Sequence, residues 1–182
     1  MIYEFLADGF EEVEALVPVD FLRRAGKTIF TVGVGSQTVR GTHNIRVRCD
    51  LTADDIELND EVEGIILPGG MPGTLNLEDN RIVNEAIDFC YENSLMISAI
   101  CAAPSILGHK GLLKNRNAVC FPGFEKDLDG ANVMNDKLVC VTDGNIITAK
   151  GAGAAMEFAF AIIAYFYSEE RAGEIRKEVQ CP

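Results

Sequence analysis

Short apolar runs alternate along the chain with longer stretches whose apolar residues recur every three to four positions. Residues 2–7 (IYEFLA) predict a strand, and Asp8-Gly9 turns the chain after it. From Glu11 to Arg24, Val13, Leu16, Val17, Phe21 and Leu22 recur at helical spacing, and Gly26 stands where a helix ends. Pro18 lies inside this helix and predicts a bend, because it removes one backbone donor. Residues 28–34 predict a second strand, and 35–50 a small β excursion around Ile45–Cys49. Residues 64–67 (GIIL) predict a buried strand ending in Pro-Gly-Gly, 79–92 an amphipathic helix, and 95–100 (LMISAI) a fully apolar strand running into Cys101. A helix over 103–109, strands near 117–121, 138–141 and 145–149, an apolar helix over 154–167 and a charged helix over 169–178 complete the pattern.

Apolar strands alternating with amphipathic helices predict an α/β fold with a mainly parallel sheet covered on both faces. The length of 182 residues suits one domain over 1–182. Glu4 breaks the pattern, since it sits mid-strand among apolar neighbours and needs a partner or a raised pKa.

Charge narrows the partners. Twenty-eight acidic against 16 basic residues give a net charge of −12, which disfavours nucleic acid and anionic membrane surfaces. Seven of the acidic residues fall between Asp50 and Glu63, with no basic residue among them, and predict a solvated connection. No apolar run reaches the ~18 residues of a membrane span. The N-terminal residues do not read as an export signal, so the expected location is cytoplasmic, where thiols stay reduced. The six cysteines (Cys49, Cys90, Cys101, Cys120, Cys140 and Cys181) are therefore expected as free thiols, five of them as small buried hydrophobes. They show no paired spacing, and only His43 and His109 could assist them, which argues against a zinc site.

Three constellations could carry chemistry. In Ser98-Ala-Ile-Cys101-Ala-Ala-Pro104 a buried strand meets a helix start with a cysteine at the junction. That is the layout of a nucleophile elbow, and the helix N-terminus would lower the thiol pKa; the alternative is a core cysteine at an ordinary strand end. In Leu67-Pro-Gly-Gly-Met-Pro-Gly73 paired glycines after a strand could turn N–H groups towards an anion, or merely form a tight turn. In Asp8-Gly-Phe-Glu-Glu-Val-Glu14 the first acidic residues suit a helix dipole, whereas Glu14 lies a turn in, where it could reach the elbow as a protonated donor to sulfur.

Taken in order, these segments with Pro18–Gly26 and Lys150-Gly-Ala-Gly153 resemble the ThiJ/PfpI superfamily over nearly the whole chain, and within it the DJ-one deglycase-like branch and its bacterial relatives. The resemblance implies a flavodoxin-like three-layer sandwich, a homodimer and a cofactor-free site. Cys101 would be the reactive thiol, Glu14 its protonated partner, and the Gly70 and Ala102 amides an anion pocket. Gly69, Phe121, Ala152 and His43 are further candidates for the pocket wall, with His43 weighed as arriving from a second subunit or as a solvated loop residue. The family's activities include glyoxalase-type conversion of methylglyoxal, deglycation of early adducts and stress sensing through a cysteine sulfinate. Three positions depart from the family. Ala102 follows the cysteine where the protease branch has histidine, Phe121-Pro122 replaces a His-Pro pair, and Ala152 replaces a proline.

The resulting expectation is an enzyme acting on a small aldehyde or glycated substrate through Cys101 and Glu14. The alternative is an oxidative-stress sensor or chaperone in which Cys101 becomes the sulfinate. A cysteine peptidase ranks last, because it needs a base and only His43 and His109 exist.

Overall fold

The computed structural model describes residues 1–181. In chain order the elements are β1 (Ile2–Leu6), α1 (Glu12–Arg24), β2 (Ile29–Gly33), β3 (Thr38–Arg40), β4 (Arg46–Arg48), β5 (Leu51–Thr52), β6 (Gly64–Leu67), α2 (Gly73–Glu78), α3 (Arg81–Glu92), β7 (Met96–Ile100), α4 (Pro104–His109), β8 (Asn117–Ala118), β9 (Asn132–Val133), β10 (Cys140–Asp143), β11 (Ile146–Ala149), α5 (Ala155–Phe166) and α6 (Glu169–Glu178). The mainly apolar strands β1, β6 and β7 take the middle of a seven-stranded sheet of order β10-β11-β7-β6-β1-β2-β5. Strands buried on both faces call for apolar residues at nearly every position, and those segments supply them except at Glu4 of β1 and Ser98 of β7. Every pairing in the sheet is parallel except that of β10 with β11 at one edge.

Helices cover both faces and complete three layers. On one side Tyr3, Phe5, Ile65, Leu67 and Ile97 pack with Leu77 of α2, Ile87 of α3 and Ile106 of α4. On the other, Ile2, Ile66 and Ile147 pack with Leu22 of α1, Phe158 and Ile162 of α5 and Ile175 of α6. Each such large side chain contributes roughly 1.5–3 kcal/mol when fully buried. The architecture is the expected flavodoxin-like α/β sandwich, and its central strands end together where the chain reverses direction across the sheet.

Several expectations are corrected. Helix α1 continues through Pro18 to Arg24, but its buried face is Ala15, Pro18, Val19, Phe21 and Leu22. Val13 and Leu16 are exposed instead. The acidic connection contributes β5 to the sheet edge, and Asp50 accepts from the Thr31 amide and hydroxyl and pairs with Arg23. Helix α2 and strand β9 were not foreseen. All six cysteines are free, but only Cys49, Cys90 and Cys120 are buried; Cys140 and Cys181 are half-buried like Cys101. Among the described residues no helix is long and apolar enough to cross a membrane.

Candidate active site

The ends of β1, β6 and β7 deliver three loops to one place. After β7 the chain turns sharply at Cys101, whose φ of 69° lies in the left-handed region that side chains rarely adopt. Hydrogen bonds hold the turn on both sides: Cys101 N–H donates to Ala149 O (2.9 Å), and Phe121 N–H donates to Cys101 O (2.7 Å). This is the elbow expected at the junction. Helix α4, however, begins only at Pro104 and is six residues long, so the donors near sulfur are the amides of Gly70 and Ala102 rather than a helix terminus.

After β6, Gly69 passes where no side chain fits. A Cβ there would lie 2.5 Å from Cys101 Cβ and 2.7 Å from Glu14 Oε2. Gly70 adopts φ 91°, and its added Cβ would lie 2.5 Å from the Glu11 nitrogen. After β1, Glu11 caps α1 by accepting from Glu14 N–H (2.8 Å), and its own N–H donates to Gly69 O (2.9 Å). The cap and the glycine pair thus set the height at which Glu14 emerges.

Glu14 is buried, with 1% exposure, and hydrogen-bonds the Cys101 thiol. Its carboxyl also accepts from the amides of Gly69 (3.0 Å) and Ala152. Burial pushes Glu14 up to about 7; the Glu11 charge adds to this, and the bonds from Cys101, Gly69 and Ala152 oppose it. The expected depression of the thiol is corrected. Burial first, and then the Glu14 carboxylate, push Cys101 up to about 12, against the pull of the Gly70 and Ala102 amides. The two groups therefore act as a pair that holds one proton between those two values.

The remaining candidates fall around this pair. Phe121 places a half-exposed ring beside Gly151, and Ala152 approaches Glu14 through its amide. His43 does not join the pair within this chain. It is exposed, with Nδ1 2.8 Å from Glu12 Oε2, and Glu12 also accepts from the His43 amide (2.8 Å). His109 is engaged by Glu78 (2.6 Å) and Asp127 (3.9 Å). Each histidine thus has its own carboxylate partner, which leaves the peptidase reading without a base at sulfur. Among the described residues, Glu11, Glu12 and His43 form a group whose ligand atoms lie within 4.8 Å of one another and could hold a metal ion, though Glu12 is already engaged by the loop amides. Glu12, expected from sequence to complement the helix dipole, also anchors the β3–β4 connection to α1. Beyond Phe121 and Ala152, the neighbouring cleft is lined by Pro122, Val139, Lys150, Gly151, Gly153 and Ala154; the sequence singles out Phe121-Pro122 and the Lys150–Gly153 motif, but not Val139 or Ala154.

The chain matches the DJ-1/PfpI family over residues 1–165. It is 30% identical to protein dj-1beta of Drosophila melanogaster over 174 residues, covering 94% of this chain and 92% of that protein. It is 29% identical to a glutathione-independent glyoxalase of Caenorhabditis elegans over 167 residues, covering 92% and 88%. Among solved structures, Drosophila melanogaster DJ-1beta superposes with a TM-score of 0.93 at 28% identity, covering 100% of this chain and 97% of that one. A DJ-1 superfamily protein from Salmonella typhimurium superposes with a TM-score of 0.92 at 30% identity, covering 100% and 98%. On the extent of these matches, the chain belongs to the DJ-1/PfpI family.

Proposed function

We propose that this protein performs cofactor-free, glyoxalase-type chemistry on reactive dicarbonyls such as methylglyoxal, with Cys101 as nucleophile and Glu14 as acid and base. The observation that carries this reading is the buried carboxyl hydrogen-bonded to a thiol, with one proton between them and amides around both. The name of the nematode relative, a glutathione-independent glyoxalase, supports the same class.

In the first step Sγ bonds to the aldehyde carbon and the π pair moves to oxygen, which takes the proton held by the pair. The Gly70 and Ala102 amides stabilise the charge that develops there. Glu14 then carries the carbon-bound proton from the former aldehyde carbon to the ketone carbon, while the hydroxyl proton passes between the two oxygens. One carbon is oxidised and its neighbour reduced, so no external oxidant is needed. Water cleaves the C–S bond of the resulting thioester, releasing the 2-hydroxy acid and restoring the thiol. The same thiol would serve in deglycation, where it displaces the amine or thiol of an early adduct: the C–S bond to Cys101 forms as the adduct's C–N or C–S bond breaks, the leaving group takes the proton held by the pair, and the same hemithioacetal results. Exposed Val13 and Leu16 on α1 support a homodimer formed through that helix.

The half-exposed sulfur beside two amides also supports a second reading. Two equivalents of peroxide would convert the thiolate to a sulfinate and release two waters, with Glu14 donating its proton to a sulfinate oxygen. One experiment separates the two. Methylglyoxal loss is followed for wild type, Cys101→Ser and Glu14→Gln, and each variant should lose about 10²–10⁴-fold. Equal rates overturn the enzyme reading, and gain of two oxygens at Cys101 under dilute peroxide, in a wild type without turnover, assigns the function to sensing.

A further inference from the structure

Behind the loop that touches Glu14 there is more room than a three-carbon dicarbonyl fills. A cleft of about 370 Å3 opens there; neither Cys101 nor Glu14 lines it, and Gly151 and Ala152 stand between it and the pair. That lies within the ~300–1,000 Å3 of pockets that hold whole organic ligands. Part of its lining is Gly151-Ala152-Gly153, which offers backbone and a single methyl group. Phe121, Pro122 and Val139 supply apolar side chains, of which Phe121 is 48% and Val139 50% exposed. The one charged side chain of the lining, Lys150, donates to Asn135 O (2.8 Å).

Two residues of the lining are bonded to the pair through their backbone. The Phe121 amide donates to Cys101 O, and the Ala152 amide to Glu14. Gly151 lies where ring and carboxyl meet: an added Cβ would be 3.2 Å from Phe121 Cδ2 and 3.7 Å from Glu14 Oε1. A molecule bonded to Sγ through its aldehyde carbon can therefore extend its other end along the Phe121 ring. A flat apolar group there covers exposed aromatic surface and gains offset stacking, whereas a methyl group reaches neither.

We infer that the preferred substrates are 2-oxoaldehydes bearing a flat apolar substituent, aryl above all, an inference that rests on the dicarbonyl reading of this site. The substituent takes no part in bond making. The C–S bond still forms at the aldehyde carbon, the proton still moves to the neighbouring carbon, and the product is the aryl 2-hydroxy acid.

The test compares phenylglyoxal with methylglyoxal in wild type, Gly153→Leu and Phe121→Ala. Position 153 has no atom within 4 Å of an added Cβ and is not in the left-handed region, so leucine takes up cleft volume without displacing packed atoms. The ratio of kcat/KM for the two substrates should fall at least tenfold in both variants, and using the ratio between proteins cancels the intrinsic reactivity of each aldehyde. If wild type turns over both substrates and the ratio is unchanged in the variants, the substrate class is overturned and the glyoxalase reading stands. If wild type turns over neither, the glyoxalase reading fails, and calorimetry with mandelate and lactate decides the cleft. Selective mandelate binding that Gly153→Leu abolishes upholds the aryl preference; equal binding overturns it.

Discussion

At Cys101 the backbone does what side chains usually avoid. Holding a non-glycine residue at positive φ costs about 1–3 kcal/mol, and the bonds from Cys101 N–H to Ala149 O and from Phe121 N–H to Cys101 O keep it there. Chemistry at this residue depends on the proton it shares. Below pH 7 the pair carries two protons and offers no thiolate; above it one has gone, because burial raises Glu14 to about 7. We expect kcat/KM for methylglyoxal, and the alkylation rate of Cys101, to rise with pH through about 7. Glu14→Gln should abolish that step, and a pH-independent rate between 5 and 8 would contradict the pairing. The position of Cys101 was legible from an apolar strand running into small residues. The burial of Glu14 was not legible from its neighbours, since Val13 beside it is exposed; it follows from two glycines elsewhere in the chain that approach within van der Waals contact.

Strand β1 carries the other misplaced carboxyl. Ile2, Glu4 and Leu6 share one face of it; Ile2 and Leu6 belong to apolar clusters, and Glu4 between them is 0% exposed. Neither of its carboxyl oxygens has a hydrogen-bond partner. Burial raises its pKa well above the usual range, opposed only by the Arg23 charge. The sign follows from linkage. A carboxyl kept neutral in the fold is neutral in both states below about pH 4.3, and above that the unfolded chain alone ionises. Stability is therefore lost as pH rises, by about 1.4 kcal/mol per pH unit, until the folded-state value is reached. Urea unfolding should show Glu4→Leu more stable than wild type, with the gain growing from pH 5 to pH 7; a gain that does not change with pH would refute this. Helix α3, with its strong periodicity, and α6, marked by its run of charged residues, were legible from sequence to within about two residues. Six-residue α2 and two-residue β9 are too short to show a period, and tertiary contacts alone define them. Helix α1 was legible as a helix but not in its facing, because Val13 and Leu16 are as apolar as the residues it buries.

The whole molecule places three strand ends together, and its topology explains why residues 14, 69 and 101 meet although 87 positions separate the first from the last. The order of alternating elements made that sheet legible; the cleft beside it was legible only in part, at Phe121-Pro122 and Lys150–Gly153, because the rest of its lining comes from segments with no periodic signal. The proposed dimer belongs to this scale. Sedimentation should give a dimer for wild type and a monomer for Leu16→Glu, and a monomeric wild type would refute the α1 interface. The glycines around the thiol also set unequal terms for evolution. At position 69 an added methyl meets Cys101 Cβ at 2.5 Å, while at position 153 it meets nothing within 4 Å. New specificities are therefore accessible from one side of the pair only. Lineages that change diet of substrate can vary position 153 freely, while the 69–70 loop stays silent, a fixed hinge of inheritance beside a variable point.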